Sequence, residues 1–97
     1  MFLERHGLSI IDRNVRVGRG EVDLVADDGG RRVVVEVKTV LAVGFAPPTA
    51  EDAFTADKER TVRRLASKLH PPASRVDLIA ISLMESGVRL RWLKCVA

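Results

Sequence analysis

Residues 20–26 read Gly-Glu-Val-Asp-Leu-Val-Ala, and residues 32–39 read Arg-Val-Val-Val-Glu-Val-Lys-Thr. In each stretch polar residues stand two positions apart among apolar ones, and successive side chains of a strand point to opposite faces. The five residues between the stretches read Asp-Asp-Gly-Gly-Arg, and glycine tolerates the positive φ that a tight hairpin turn needs. The sequence therefore predicts a β-hairpin.

The register of this hairpin decides which polar residues meet. If Gly29 and Gly30 form the turn, Val25 lies opposite Val34, and all four polar residues share one face at the end away from the turn. They form two cross-strand pairs, Asp23 with Glu36 and Glu21 with Lys38. The other face then carries the residues Val22, Leu24, Ala26, Val33, Val35 and Val37. A turn one residue longer would move the two polar sets to opposite faces, so this register is a hypothesis.

Two carboxylates directly across from each other destabilise a sheet. One reading is an exposed, solvated face on which Glu21 and Lys38 form an ion pair. The other reading is a cation bound between Asp23 and Glu36. The residues alone leave both readings open.

The whole chain has 97 residues, of which 46% are hydrophobic and 30% charged, and this composition predicts one globular domain over residues 1–97. No apolar run approaches the roughly 20 residues of a membrane span, so we expect no membrane partner. Met1–His6 lacks the apolar core of a secretory signal, and the single Cys95 excludes an internal disulfide and a cysteine metal cluster. These features predict a cytoplasmic protein. The net charge of +3 is compatible with nucleic acid as a partner.

The remaining chain divides into short elements. We expect the end of a helix before Gly7, a strand with a bulge near its middle, a proline-containing loop, and a helix capped by Thr55 or Asp57. Two strands follow, and the first is apolar enough to be buried on both faces, with Arg75 as the partner of Asp77. The predicted ranges are 1–6 for the helix end, 8–17 for the first strand, 40–49 for the loop, 55–69 for the main helix, and 75–83 and 88–96 for the last strands.

Basic residues occur in two places. The turn Gly18-Arg19-Gly20 follows Arg16, and the main helix carries Lys58, Arg60, Arg63, Arg64 and Lys68. Each group is either an ordinary solvated surface or a set of phosphate contacts, and the sequence does not choose between them.

At residues 20–26 and 34–39 the sequence resembles the YraN-like family of small bacterial proteins. Further matches at residues 8–16, 44–48, 51–54, 57–58 and 75–78 extend the resemblance over nearly the whole chain. That family is similar to the restriction-endonuclease-like nucleases with a PD-(D/E)xK site, particularly archaeal Holliday-junction resolvases. The resemblance implies an α/β fold in which helices flank a restriction-endonuclease-like mixed β-sheet.

The resemblance also implies roles for the polar residues of the hairpin. Asp23 matches the first metal-binding acid, Glu36 the second, and Lys38 the lysine of the Glu-x-Lys motif. Glu21 matches no ligand and would lie behind the two acids or pair with Lys38. Phosphodiester hydrolysis uses a hard cation held by a few carboxylates, so the implied cofactor is Mg²⁺ or Mn²⁺.

The implied function is a metal-dependent, nuclease-like protein that acts on phosphodiesters of nucleic acid, with DNA as the expected partner. The alternative is a non-catalytic nucleic-acid-binding or protein-interaction module on the same fold, so enzymatic activity stays open, as does a homodimer. The further candidates for phosphate contacts are Arg16, Arg19, Lys58 and Arg64.

The sequence departs from the family pattern in two places. Family members begin with a helix that carries a Gly-Glu pair, whereas residues 1–7 match only the end of that helix and Glu4 does not stand at the position of the glutamate. We therefore expect a shortened N-terminal helix. Val40 stands where the family commonly has arginine, which removes one candidate phosphate contact. Both departures concern catalysis more than the fold.

Overall fold

A computed structural model describes residues 2–42, 49 and 54–96 of the chain. Within these residues, short turns containing Gly18, Gly29 and Ser86 separate strands, and two helices complete the α/β domain. The elements are α1 (Phe2–Arg5), β1 (Ser9–Val17), β2 (Gly20–Asp28), β3 (Arg31–Leu41), α2 (Ala56–Ser67), β4 (Arg75–Met84) and β5 (Gly87–Leu93).

The described strands form one mixed sheet in the order β1-β2-β3-β4-β5. Strands joined by tight turns pair antiparallel, whereas β3 and β4 are parallel. A parallel pair needs a crossover connection, and the segment that contains α2 supplies it. The predicted α/β class with a mixed sheet is confirmed in this form.

The predicted register of the central hairpin is confirmed. Val25 lies opposite Val34 and Asp28 opposite Arg31, and the regular pairing continues to Leu24 and Val35. Gly29 and Gly30 have φ values of 60° and 93°, which explains why glycine is needed at both turn positions.

The predicted face of Val22 is wrong. Leu24 packs in the core cluster beneath α1, but Val22 packs with Val25 in the cluster beneath α2. Strict alternation would put Val22 and Leu24 on the same face, so β2 departs from it around Asp23. The neighbouring strand is irregular as well, because the register shifts between Ile10 and Asp12 and Asn14 has a φ of 51°. The bulge expected near residues 12–14 is thus present, one residue earlier.

Helix α2 covers one face of the sheet. The side chain of Thr55 caps it by accepting a hydrogen bond from the backbone N–H of Lys58 at 3.3 Å, as predicted. Leu65 lies so close to Gly20 that a Cβ on this glycine would be 2.8 Å from the Leu65 Cδ1 atom. A glycine at the start of β2 therefore lets α2 approach the strand that carries Glu21 and Asp23.

Three element boundaries differ from the sequence prediction. Helix α2 ends at Ser67 rather than near Leu69, β5 ends at Leu93, and β3 continues to Leu41. Val40 and Leu41 belong to a strand because they pair with Ser82 and Leu83 of β4. The rest of the predicted loop lies largely outside the described residues.

The N-terminal helix α1 is short, as expected, and ends before Gly7, which has a φ of 92°. Neither of the described helices is long and apolar enough to cross a membrane.

Asp77, in β4, is a buried carboxylate around which several hydrogen bonds are formed. It is fully buried and accepts hydrogen bonds from the Arg75 side chain at 2.7 and 2.9 Å, from Trp92 Nε1 and from the Cys95 N–H. Burial alone would raise the pKa of Asp77, but these hydrogen bonds and the charge of Arg75 outweigh it and lower the pKa. The predicted Arg75–Asp77 partnership is confirmed, and Asp28 binds the same guanidinium at 2.8 Å.

Replacing Asp77 by alanine should destabilise the protein by about 3–5 kcal/mol, because the buried Arg75 charge would lose its main partner. The matched control is Asp28→Ala, which removes a partly exposed partner of Arg75 and should cost only about 1 kcal/mol. Urea unfolding at neutral pH measures both free energies. Equal losses in the two variants would contradict the central role of Asp77.

Candidate metal centre

The regular pairing of β2 with β3 ends one residue before Asp23 and Glu36. Beyond that point side-chain carboxylates, instead of backbone carbonyls, accept the hydrogen bonds of backbone N–H groups. The backbone N–H of Asp23 donates to Glu36 Oε2 at 2.9 Å, and the backbone N–H of Val37 donates to Asp23 Oδ2 at 2.8 Å. Each acidic side chain thus bonds the opposite strand, and the two carboxylates are held together where the strands separate.

Glu36 is the electrostatically strained member of this pair. Burial, together with the negative charges of Asp23 and Glu21, raises the pKa of Glu36 to about 7, although the hydrogen bond from the Asp23 N–H acts in the opposite direction. A carboxylate with a pKa near 7 is protonated in about half of the molecules at neutral pH. A bound cation would remove this strain by compensating the clustered negative charge.

A cavity of about 400 Å³ lies between the sheet and α2 beside this pair. From the sheet it is lined by Glu21, Glu36 and Lys38. The position of Lys38 follows from the period of two along β3, which puts it on the same face as Glu36. Three of the four predicted site residues therefore line one cavity, as the hairpin register predicted.

Asp23 lies at the border of this arrangement. It lines a neighbouring depression with Arg13 and Asn14, and Val37 lines both the depression and the cavity. The expectation that all four polar residues occupy one face is thus met by three of them. The departure of β2 from strict alternation around Asp23 accounts for the difference.

The ion pair that would make this an ordinary exposed surface is not found. Within the described parts of the chain, neither Glu21 nor Lys38 forms a salt bridge. The Lys38 ammonium group is therefore available to a negatively charged ligand in the cavity.

The candidate phosphate contacts are dispersed. Lys58 lines the same cavity as Glu36, whereas Arg16 lines a second cavity near the end of α2. Arg19 is exposed in the turn between β1 and β2, and Arg64 is exposed on α2. Of the four, the structure brings only Lys58 to the predicted site.

Helix α2 contributes further polar residues that the sequence pattern did not single out as site residues. Asp57 and Thr61 line the cavity on the side facing the sheet, next to Lys58. Helical spacing would have placed Asp57, Lys58 and Thr61 near one another, but nothing in the sequence indicates that the start of α2 lies over Glu36. That placement depends on the crossover between β3 and β4.

The donor set suits a hard divalent cation. Mg²⁺ is commonly bound by one or two carboxylates, with water and substrate phosphate completing the coordination. Asp23 and Glu36 supply two such groups, already held in place by backbone hydrogen bonds. Among the described residues no group of three or more acidic, histidine or cysteine side chains is arranged for a metal. Asp23 and Glu36 could therefore contribute two ligands to such a cation, and the described residues do not form a closed protein cage.

Comparison with known proteins gives one consistent relationship. The model of an uncharacterised protein family, UPF0102, matches residues 1–81. A UPF0102 protein of Symbiobacterium thermophilum is 43% identical over 96 residues, covering 93% of this chain and 79% of the relative. Similar proteins from Kineococcus radiotolerans and Streptomyces coelicolor are 38% and 40% identical, covering 88% and 84% of this chain and 74% and 67% of the relatives.

These names state no activity, substrate or partner. They confirm the resemblance noted from the hairpin motifs, since UPF0102 is the YraN family. The chain belongs to the uncharacterised protein family UPF0102.

Proposed function

We propose that this protein is a metal-dependent, nuclease-like protein that acts on phosphodiester bonds of DNA, on a restriction-endonuclease-like fold. The observation that carries the proposal is the exchange of hydrogen bonds between β2 and β3. It fixes the two carboxylates of Asp23 and Glu36 where the regular pairing of the strands ends, and Glu36 lines one cavity together with Lys38. Such a set of groups is suited to phosphoryl chemistry rather than to packing.

Each residue has a role that its chemistry explains. Asp23 and Glu36 hold Mg²⁺ or Mn²⁺, and Glu21 adds negative potential from the cavity wall. When bound there, the cation neutralises negative charge on the phosphate and lowers the pKa of a bound water. Lys38 places its ammonium group next to the phosphate or the attacking water, where a preorganised positive charge stabilises the transition state.

One observation favours a second candidate function, a non-catalytic module that binds nucleic acid or protein. Each carboxylate already accepts a backbone hydrogen bond, so Asp23 and Glu36 also serve the fold itself. A structural role of this kind needs no metal. Separate measurements of metal binding and of cleavage therefore distinguish the two functions.

Mg²⁺ or Mn²⁺ should raise the thermal unfolding temperature of the wild-type protein, because a ligand that binds only the folded state stabilises it. Asp23→Asn and Glu36→Gln keep a hydrogen-bond acceptor but remove the charge. Each should weaken metal binding by at least about tenfold, which a titration followed by calorimetry measures.

The matched control for this titration is Glu85→Gln, which removes one exposed carboxylate in the turn between β4 and β5. It should bind metal as the wild type does. An equal metal response in wild type, Asp23→Asn and Glu36→Gln would rule out the site.

The stability of the metal-free protein should fall as pH rises from about 5 to 8. The pKa of Glu36 rises from its ordinary value of 4.5 to about 7 in the folded state, so between these two values the folded protein holds a proton that the unfolded chain has released. Raising the pH removes that proton and with it the stabilisation. Glu36→Gln should flatten this slope, and saturating Mg²⁺ should do the same in the wild type. Urea unfolding across the pH range tests this, and a slope unchanged by Glu36→Gln would contradict it.

Lys38→Met should abolish cleavage of DNA in the presence of Mn²⁺ with little loss of stability, since its side chain is part of the cavity wall and not of the buried core. Lys94→Met is the matched control, because the ammonium group of Lys94 lies over the ring of Trp92, a residue of β5. Cleavage of labelled branched, single-stranded and duplex DNA is the measurement. Retained cleavage by Lys38→Met would refute the role given to this lysine. Metal binding without cleavage of any substrate by the wild type would favour the non-catalytic module.

A further inference from the structure

A second cavity of about 410 Å³ lies on the α2 side of the sheet, between β1 and the end of α2. Its walls carry the basic groups Arg16, Arg32, Lys68 and His70 around an apolar floor that includes Val25 and Leu69. We call it the basic cleft. The three cationic residues of this lining come from β1, β3 and the C-cap of α2, so a run of basic residues along one element does not account for them.

The cations of the basic cleft differ from several other basic residues of the chain in that they form no salt bridge with a described residue. Arg60 and Arg63 of α2 pair with Asp57 and Glu59, and Arg75 pairs with Asp28 and Asp77. Within residues 2–42 and 54–96, by contrast, Arg16, Arg32 and Lys68 form no salt bridge.

The carboxylate that lines the basic cleft is that of Asp12, whose Oδ1 accepts the backbone N–H of Arg13 at 2.8 Å. Arg16 lies opposite Glu21 in the β1–β2 register, yet Glu21 lines the other cavity. Asp27 lies opposite Arg32 in the β2–β3 register, where its Oδ2 accepts the Gly30 N–H at 3.1 Å. Among the described residues that line the cleft, three cations outnumber one carboxylate.

The C-terminal end of α2 opposes an anion here, but weakly. The dipole of a helix places about half a negative charge at its C-terminus, and this is small beside three formal positive charges. The sum therefore favours an anion. Two of the three cations are arginines, whose planar guanidinium groups match the geometry of phosphate oxygens.

Residue spacing along β3 and along α2 gives the distance between the basic cleft and the candidate metal centre. Arg32 and Glu36 are on the same face of β3 four residues apart, which spans about 13 Å. Lys58 and Lys68 are ten residues apart along α2 and its C-cap, which spans about 15 Å. One strand of duplex DNA advances about 3.4 Å per nucleotide, so about four nucleotides cover this distance.

We propose that the basic cleft formed by Arg16, Arg32 and Lys68 is a second phosphate-binding site, which holds a backbone phosphate of the same nucleic acid about four nucleotides from the metal centre. The anion chemistry stands on the cleft alone, whereas the assignment of the ligand to nucleic acid rests on the proposed function. Because Val34, between Arg32 and Glu36, is buried beneath α2, the nucleic-acid backbone would pass over the outer side of this helix. The cleft would orient it and takes no part in bond cleavage.

Inorganic pyrophosphate in metal-free buffer tests the anion site without any dependence on nuclease activity. It should shift the side-chain Nε–H signals of Arg16 and Arg32 in ¹⁵N NMR spectra. In the double variant Arg32→Gln/Lys68→Gln, pyrophosphate should no longer shift the Arg16 signal. In Arg63→Gln, which removes the same kind of charge from α2 outside the cleft, both shifts should be retained. Thermal unfolding of each variant verifies that it is folded. Absent shifts in the wild type, or equal shifts in the double variant, would overturn the site.

Duplex DNA then distinguishes a backbone phosphate from a free phosphate compound. The logarithm of the binding constant falls with the logarithm of salt concentration by about 0.9 per phosphate contact, so loss of the one phosphate held by the cleft should lower this slope by about 0.9 in the double variant. Arg63→Gln should leave the slope unchanged. A pyrophosphate site combined with an unaltered DNA slope in the double variant would overturn nucleic acid as the ligand. The metal titrations of Asp23→Asn and Glu36→Gln report on the proposed function separately.

Discussion

The structure depends on how two backbone N–H groups are satisfied where β2 and β3 separate. Buried backbone donors are almost always paired, and in a sheet the partner is normally a carbonyl of the next strand. Here the partly buried donor of Asp23 and the exposed donor of Val37 are paired with the side chains of Glu36 and Asp23 instead. The strands can therefore diverge without leaving these donors unsatisfied.

This solution has an electrostatic consequence. Hydrogen bonds from backbone N–H groups stabilise carboxylates, but burial and mutual repulsion disfavour their ionised forms. In Glu36 the second effect is larger, and the pKa rises to about 7. The fold therefore holds together charges that repel each other, and a group of the opposite charge can lower the free energy. Lys38 lines the same cavity and forms no salt bridge within the described residues.

Local sequence predicted the parts of this arrangement that short-range rules control. The turn glycines determined the register, and the register brought Asp23 opposite Glu36, because side-chain direction in a hairpin follows from counting residues. Arg75 was identified as the partner of Asp77 for the same reason. The alternation of side chains along β2 predicted the wrong face for Val22. Next to it, β1 has a bulge and Asn14 has a positive φ, and neither follows from counting residues. The placement of Asp57 and Thr61 over Glu36 was also beyond the sequence, since a crossover of the chain determines where α2 packs.

The charges along β3 are sorted by position as well as by face. Arg32 lies near the turn, the valines between carry the core on both faces, and Glu36 and Lys38 lie towards the open end of the hairpin. The alternation that buries Val34 beneath α2 also directs Arg32 and Glu36 to that side, one to the basic cleft and one to the metal centre. Strand geometry thus fixes the distance between the proposed metal site and the proposed anion site, and α2 spans the same interval above them. An extended polyanion lying along this side would meet both, whereas a small anion could occupy only one.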